Sequence, residues 1–436
     1  MIEHILDRFR QAKALMVRSP FARNVTSTFT VQILSLLLAT VNAAVIARVL
    51  GPSGKGILAL TVLAPNIFAL FLSGGISVAN VYYIGQKRFD LPTLSANATA
   101  FTVMATGLGV AIAAVLYTTG LMEKLLPGVP PGLLALSMLG LPFSLLNSYF
   151  ISLLQGRQLI SQINLVSLMQ RGSTVVLSLL TVALLGWGLT GSVLAVLASS
   201  VLSVAVLGVM LRRLGARFWP RWNRLVIKTT LKFGLRGYVA NVLQFFNYRL
   251  DLFLVNYFLG PSSTGIYTVA VAMAEMLWYL PNAVGFVIFP KSANTKAETM
   301  NRFTPRVFRL TMALTAAGAV AMAIFGKPFI DIVYSPAFAS AYGPMLALLP
   351  GVVLLGGGKV LTNEIAGRGY PQYNSIASGV SLVLTIGLDL LLIPRLGVLG
   401  AAVASSVAYI AIFILALVFY RSVVNRQRKM LRQTSA

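Results

Sequence analysis

Residues 47–56 read ARVLGPSGKG, and residues 258–266 repeat the centre of this stretch as FLGPSSTGI. The two copies align at an offset of 209 residues and share Leu-Gly-Pro-Ser, followed by Gly and Ile. A phosphate-binding loop needs GxxxxGK followed by Ser or Thr, after a strand. Here Lys55 is followed by Gly56, and the second copy has Thr264 in place of the lysine. The stretch therefore predicts a tight turn between two helices, once in each half of the chain.

Two further pairs of motifs indicate an internal duplication. Gly-Arg occurs at 156–157 and again at 367–368, and a glycine pair followed by Ala-Ser-Ser-Val occurs within 188–201 and 397–407. Three ordered pairs at one nearly constant offset predict two halves of similar fold.

Composition assigns the chain to the membrane. Apolar residues make up 57% of its 436 residues and charged residues 10%, against about a quarter charged in a soluble domain. The apolar residues fall in runs of about twenty, the length that crosses roughly 30 Å of hydrocarbon. We therefore predict an all-α polytopic membrane protein. Its twelve transmembrane helices are predicted at 23–48, 56–84, 92–117, 132–156, 160–185, 189–212, 226–258, 263–289, 304–326, 342–366, 371–393 and 398–420.

The residue types present in the chain exclude several classes of enzyme. The chain has no cysteine, which excludes disulfides, thiolate metal sites and cysteine nucleophiles. Its single histidine, His4, lies outside every predicted span, so His-based metal sites and Ser-His-Asp catalysis are excluded as well.

The formal net charge of +25 reports topology rather than nucleic-acid binding. With the N-terminus in the cytoplasm, 26 of the 35 basic residues lie on the cytoplasmic side, 5 lie outside and 4 lie within spans. This bias follows the positive-inside rule and places both termini in the cytoplasm. The predicted organisation is an amphipathic N-terminal segment (1–22), a first six-helix bundle (23–212), a basic linker (213–225), a second bundle (226–420) and a basic tail (421–436).

Six spans per half make the halves parallel repeats, because an even number of crossings returns the chain to its starting side. Parallel repeats are a transporter architecture in which the substrate site lies between the halves near the bilayer midplane.

Three stretches carry a resemblance to a known family. They are ARVLGPSGKGILAL (47–60), ANVYYIGQKR (79–88) and IAGRGYPQYNSIASGVSLVLTIGLDLLLIPRLGVLGAAVASSVAY (365–409). They resemble the bacterial polysaccharide and oligosaccharide flippases of the multidrug/oligosaccharidyl-lipid/polysaccharide exporter superfamily, and the resemblance extends over about residues 22–420.

The resemblance implies two six-helix bundles in a V, around a cavity lined by spans 1, 2, 7 and 8. It implies transport of isoprenoid-pyrophosphate-linked oligosaccharides across the bacterial cytoplasmic membrane by alternating access, driven by a cation gradient or the membrane potential. A monomeric transport unit without a cofactor, coupled to Na⁺ or H⁺, is expected. Membrane lipids surround it, and a polysaccharide polymerase is the candidate protein partner.

Ionisable groups within spans are functional candidates, since each costs about 2.5–3.5 kcal/mol to insert. Arginine donates two hydrogen bonds at once to a diphosphate. The candidates for head-group binding are Arg249, Lys359 and Arg171, with Arg48 beside the outer turn as a guide for the exiting head group or an interfacial anchor. The candidates for ion coupling are Asp251, Glu275, Glu364 and Asp389. The alternative for these charges is internal pairing, of Arg249 with Glu275 or of Lys359 with Glu364.

Polar stripes support the cavity. Residues of span 7 spaced at three and four share one face, and at the 209-residue offset this face corresponds to a polar face of span 1. The stripe residues are Tyr238, Asn241, Gln244, Tyr248 and Asp251 on span 7, and Gln32, Ser35 and Asn42 on span 1.

Two other functions stay open. A multidrug or toxin antiporter of the same superfamily would use buried acids for cationic drugs, and Asp251 with Glu275 could serve that. A membrane glycan polymerase or ligase would need a sizeable outer loop, but the longest outer connections, 118–131 and 327–341, are short.

Overall fold

The structure is a computed structural model. It describes the backbone of residues 20–434 and the side-chain surroundings of residues 30–427, apart from 236, 237, 240 and 294. The predicted amphipathic segment (1–22) falls almost entirely outside the described residues. Within them, every regular element is helical. In chain order the α-helices are α1 Pro20–Leu72, α2 Ile76–Gly85, α3 Leu91–Thr118, α4 Leu121–Leu125, α5 Pro131–Met138, α6 Leu141–Gly156, α7 Ile160–Ser178, α8 Gly188–Arg213, α9 Arg224–Glu275, α10 Tyr279–Asn294, α11 Ala297–Val333, α12 Tyr342–Gly367, α13 Gln372–Leu396 and α14 Val398–Thr434.

Ten helices of the described chain are long and apolar enough to cross a membrane. Two of them, Thr30–Leu72 and Asn241–Ala293, contain 43 and 53 residues. At about 1.5 Å per residue each would be roughly twice as long as the hydrocarbon core is thick. Each is bent at a turn and accommodates two predicted spans, and the other eight overlap the remaining predicted spans one for one. The ten helices are therefore compatible with the twelve predicted spans.

The two copies of the opening motif form the same backbone turn. Gly51 has φ 65° and ψ −173°, and Gly260 has φ 79° and ψ 179°. This positive-φ conformation disfavours any side chain. The prolines that follow, Pro52 and Pro261, lie at the first position of the next helical segment, where the missing N–H is tolerated. The predicted helix-to-helix turn is confirmed in both halves.

The helices divide into two compact units. Unit 1 comprises residues up to Val45, Pro65–Ala111 and Leu136–Arg236, and unit 2 comprises Ile46–Ala64, Ile112–Ala135 and the chain from Gly237 onward. The first turn copy therefore groups with the second half of the sequence. The predicted bundles, 23–212 and 226–420, are defined by the repeat and stay a prediction.

Unit 1 is centred on buried apolar side chains of α3, α6 and α8, including Leu94, Leu153 and Leu207. At one end of this unit the break between α1 and α2 contacts α9. A Cβ on Gly75 would lie 2.6 Å from the carbonyl of Gly234, so the two backbones meet there without side chains.

Unit 2 is centred on α9, α12 and α14, around Val255, Val352 and Tyr409. The helices α12 and α14 pack closely, because Gly351 donates its backbone N–H to Ser406 Oγ at 2.9 Å and has no room for a Cβ there. Small residues at such contacts are typical of membrane helix packing. This packing positions the polar side chains described next.

Candidate functional site

A bidentate ion pair joins the two segments of α9 on either side of its turn. Arg249 donates from Nη1 to Glu275 Oε1 at 2.9 Å and from Nη2 to Glu275 Oε2 at 3.2 Å. Their side chains are 32% and 23% exposed. This is the internal pair that the sequence left open as the alternative for Arg249, and it places that cation and that acid together in unit 2.

Lys359 of α12 lies beside an aromatic ring rather than a carboxylate. Its Nζ donates to Asn282 Oδ1 at 3.0 Å and lies 3.9 Å from the centre of the Trp278 ring. The ring is fixed, because Trp278 donates its Nε1–H to the Val352 carbonyl at 3.0 Å. A cation over an aromatic face is stabilised by the ring quadrupole. The alternative pairing with Glu364 is not formed, since Glu364 accepts from Arg368 Nε at 3.0 Å.

The charged groups of this cluster are two cations, Arg249 and Lys359, and one anion, Glu275, and Asp251 also lies within electrostatic range of Arg249. Glu275 neutralises Arg249 and also lies within electrostatic range of Lys359, whose own hydrogen-bond partner, Asn282, is neutral. Tyr248 lies under the same cation, with its ring centre 5.6 Å from the Lys359 nitrogen. The arrangement presents a cation without a hydrogen-bonded carboxylate, next to an amide and aromatic faces.

A second polar cluster lies fully buried in unit 2. Asp251 Oδ2 accepts from the Tyr267 hydroxyl at 2.6 Å and from the Ser405 hydroxyl at 3.1 Å, while Oδ1 accepts the Leu252 N–H at 2.8 Å. The Asp251 side chain is 1% exposed. Tyr267 follows the turn of α9 and Ser405 belongs to α14, so one carboxylate links three helical segments.

Asp389 of α13 is buried close to this cluster. It is 0% exposed and lies within electrostatic range of Asp251. Neither of its carboxylate oxygens accepts a hydrogen bond from the described residues. Because burying an unpaired carboxylate is costly, Asp389 requires either a proton or a cation. The described residues hold no group of three His, Cys, Asp or Glu arranged for a metal ion.

The remaining candidates are spread over both units. Arg48 caps the end of α11, donating from Nε to the Val333 carbonyl at 3.1 Å and from Nη2 to the Ile332 carbonyl. This contact ties Arg48 to α11, and its role at the outer turn stays a prediction. Arg171 is exposed on α7 in unit 1.

The side chains of the polar stripes range from buried to exposed. Gln244 donates to the Tyr248 hydroxyl at 3.3 Å, and Asn241 on the same face is exposed. On α1, Gln32 is half-buried, and Asn42 has a buried Oδ1 that accepts no hydrogen bond from the described residues. Both belong to unit 1. Their roles in a cavity stay predictions.

Sequence reasoning missed the neutral partners of these charges. Trp278 and Asn282 position Lys359, and Tyr267 and Ser405 position Asp251. Ser405 could have been singled out from the sequence, since it belongs to the repeated Ala-Ser-Ser-Val motif. The other three could not, because their partners come from other helical segments.

A family model described as "Polysaccharide biosynthesis protein" matches residues 45–342. Two curated relatives also match. An uncharacterized membrane protein of Methanocaldococcus jannaschii is 24% identical over 47% of this chain and 42% of its own length. A probable low-salt glycan biosynthesis flippase of Haloferax volcanii is 22% identical over 39% of this chain and 37% of its own length. The matched stretches thus span less than half of each relative.

Solved structures of transporters share the fold. A lipid II flippase in an inward closed conformation superimposes with a TM-score of 0.75 at 14% identity, covering 90% of this chain and 86% of that one. An inward-facing multidrug resistance MATE family transporter gives a TM-score of 0.67 at 15% identity, covering 93% and 99%. The chain has the all-helical transporter fold of these proteins.

Proposed function

The chain belongs to the polysaccharide biosynthesis protein family, and from this premise we propose that it is a flippase. Its substrate is an isoprenoid-pyrophosphate-linked oligosaccharide, moved across the cytoplasmic membrane for cell-surface polysaccharide synthesis. It is a transporter, not an enzyme, and it works by alternating access. The name of the haloarchaeal relative, a probable glycan biosynthesis flippase, supports this substrate class.

The surroundings of Lys359 are the main support for the proposal. Arg249 has a hydrogen-bonded carboxylate partner, whereas Lys359 donates to the amide of Asn282, lies over the Trp278 ring and has Glu275 only within electrostatic range. An unneutralised cation in a membrane helix costs several kcal/mol unless a ligand compensates it. A diphosphate supplies that negative charge, and the sugar stacks on the neighbouring rings.

Ion coupling is assigned to Asp251 and Asp389. Two buried carboxylates within electrostatic range of each other resist being charged together. Binding of H⁺ or Na⁺ beside Asp389 relieves this repulsion, with Ser405 and Tyr267 as neighbouring hydroxyls. Because the cluster joins α9, α13 and α14, occupancy can change how these helices pack. This gives a cation gradient a route to bias the conformation of unit 2.

Transport is tested with the purified chain in proteoliposomes that contain a fluorescent NBD-labelled polyprenyl-diphosphate disaccharide. External dithionite bleaches only the outer leaflet, so flipping shows as an increase in the bleached fraction. We expect Lys359→Ala to slow flipping at least tenfold and Lys359→Arg to keep most of it. The control is Lys327→Ala, which removes an exposed lysine at the end of α11 and should have no effect.

Two results would contradict the proposal. If the Lys359→Ala variant flips the diphosphate lipid at the wild-type rate, Lys359 does not bind the substrate. Absence of flipping in the wild-type protein, together with protection of cells against cationic drugs, would favour the multidrug antiporter. The MATE-like fold is compatible with that function, but a cation without a hydrogen-bonded carboxylate at Lys359 disfavours a cationic substrate there. A polysaccharide polymerase stays the proposed partner.

A further inference from the structure

The connection between α8 and α9 is folded firmly against the start of α3. Ser95 accepts the Arg217 N–H at 3.0 Å and donates to the Arg217 carbonyl at 2.9 Å. Asn97 Oδ1 accepts the Asn223 N–H at 3.1 Å. Ser95 is 0% exposed and Asn97 is 6% exposed, so both anchors are shielded from solvent. A polar linker held by buried side chains has a defined shape.

That shape encloses a basic cavity of about 810 Å³ within unit 1. Its charged lining consists of Arg212, Arg217 and Arg221, with Asp90 as the opposing carboxylate. Both ion pairs of the described chain lie in unit 2, so the three guanidinium groups are not consumed by protein carboxylates. A guanidinium donates in a fork that matches phosphate oxygens, and three arginines line this one cavity.

A strongly exposed tryptophan lines the same cavity, and two further exposed apolar side chains follow it along the chain. Trp219 lines it and is 81% exposed, and Trp222 and Leu225 follow at 55% and 69%. Tryptophan is enriched where the bilayer meets water, with its ring at the level of the headgroups. Phe218 anchors the segment inward, its ring centre 5.1 Å from that of Phe150. The cavity is therefore bordered by a side-chain type that membrane proteins place at the level of lipid headgroups.

From this juxtaposition we propose that the cavity binds the phosphate headgroup of an anionic phospholipid. The arginines hold the phosphate, Trp219 and Trp222 contact the glycerol and upper acyl region, and Asn97 and Ser95 keep the linker in place. The site is separate from the groups assigned to transport, which lie in unit 2. Only its location on the cytoplasmic leaflet rests on the proposed topology. A bound lipid here fixes the linker that joins the two repeats.

The linker supplies its own matched control. Arg217→Gln with Arg221→Gln removes two cavity charges. Arg213→Gln with Arg224→Gln removes two exposed charges from the same linker, outside the cavity lining. The full-length chain is reconstituted in nanodiscs of phosphatidylcholine with increasing dibrominated phosphatidylglycerol, and quenching of tryptophan fluorescence is titrated. The contribution of Trp219 is obtained by subtracting the fluorescence of the Trp219→Phe variant from that of the wild-type protein.

We expect phosphatidylglycerol to quench Trp219 more than dibrominated phosphatidylcholine does. The cavity variant should need at least about fivefold more phosphatidylglycerol, while the control variant titrates like wild type. Equal weakening in both variants would overturn the proposal, because it would indicate nonspecific attraction to an anionic surface. Equal quenching by the two lipids would overturn it as well.

Two further measurements separate the remaining sources of phosphate. Soluble glycerol 3-phosphate at millimolar concentration should not displace the lipid, and complete displacement would assign the cavity to a soluble phosphate ester. Native mass spectrometry should show that the detergent-solubilised cavity variant is folded but carries no bound phosphatidylglycerol, whereas the wild-type protein retains it. Retention equal to wild type would contradict the assignment.

Discussion

Gly56 and Gly265 contact each other's turns reciprocally. A Cβ on Gly56 would collide with the Pro261 carbonyl, and a Cβ on Gly265 would collide with the Pro52 carbonyl. Gly56 and Gly265 are equivalent by the 209-residue offset, as are Pro52 and Pro261. The two copies of the repeated motif therefore form a symmetric backbone contact, which lies within unit 2. Glycine is required at both positions, for packing rather than for a positive φ.

We expect Gly56→Ala and Gly265→Ala to disrupt this contact. Each added methyl group meets a backbone carbonyl, which cannot rotate away as a side chain would. Flipping in proteoliposomes should fall at least fivefold, and the detergent melting temperature should fall by several degrees. Gly132→Ala is the control, since a Cβ there meets nothing within 4 Å. Wild-type behaviour of both glycine variants would show that the turns separate freely.

Glu275→Gln should destabilise the protein by leaving Arg249 without its carboxylate. Removing one partner of a well-buried pair costs about 3–5 kcal/mol, and the partial exposure of this pair reduces the expected loss to about 1–2 kcal/mol. The exchange Arg249→Glu with Glu275→Arg should recover the melting temperature. Recovery of flipping along with stability would make the pair structural, and recovery of stability alone would assign Arg249 to the substrate.

Asp389→Asn should uncouple flipping from the driving ion. The amide keeps the size of the carboxyl group but binds neither a proton nor a cation with the same strength, and it removes the repulsion from Asp251. Flipping is measured with an imposed Na⁺ gradient and, separately, with a pH gradient. The stimulation by one of them should disappear. Glu123→Gln, at an exposed acid of α4, should keep it. Unchanged stimulation in Asp389→Asn would refute this coupling site.

Arg368→Ala should lower stability far more than its repeat equivalent, Arg157→Ala. Arg368 pairs with Glu364 and donates to Asn301 and Gln427, so it links α11, α12 and α14. Arg157 is exposed. Breaking the buried pair should cost about 3–5 kcal/mol, whereas the exposed arginine should cost under about 1 kcal/mol. Thermal unfolding in detergent measures both. Equal losses would mean that the buried network does not stabilise unit 2.

The predicted sidedness can be tested cleanly, because the chain has no cysteine of its own. Lys124→Cys lies in a predicted outer connection and Lys87→Cys in a predicted cytoplasmic one, and both positions are exposed. A membrane-impermeant maleimide should label Lys124→Cys in intact cells and Lys87→Cys only after permeabilisation. The reverse pattern would invert the topology.

Much of the fold could be predicted from local sequence. Apolar runs of bilayer length predicted the spans, because a helix is the form that satisfies its own backbone in lipid. The repeated Leu-Gly-Pro-Ser predicted both turns, because glycine readily adopts positive φ and the proline after it is favoured at the first position of a helix. The candidate charges were also visible, since ionisable residues stand out in apolar spans. Their partners were not, because Arg249 and Glu275 are joined across a turn and Lys359 meets Trp278 from another helix.

The sequence by itself determined the membrane class, the spans, the duplication and the chemical types of the buried groups. These properties depend on residue order and hydropathy, which act locally along the chain. Only the tertiary structure decided which charge has a carboxylate partner and which does not. It paired Arg249 with Glu275, left Lys359 over an aromatic ring and left Asp389 without a hydrogen-bond partner among the described residues. The physical reason is that electrostatic energy depends on distance in space, and the helices that set those distances are far apart in sequence.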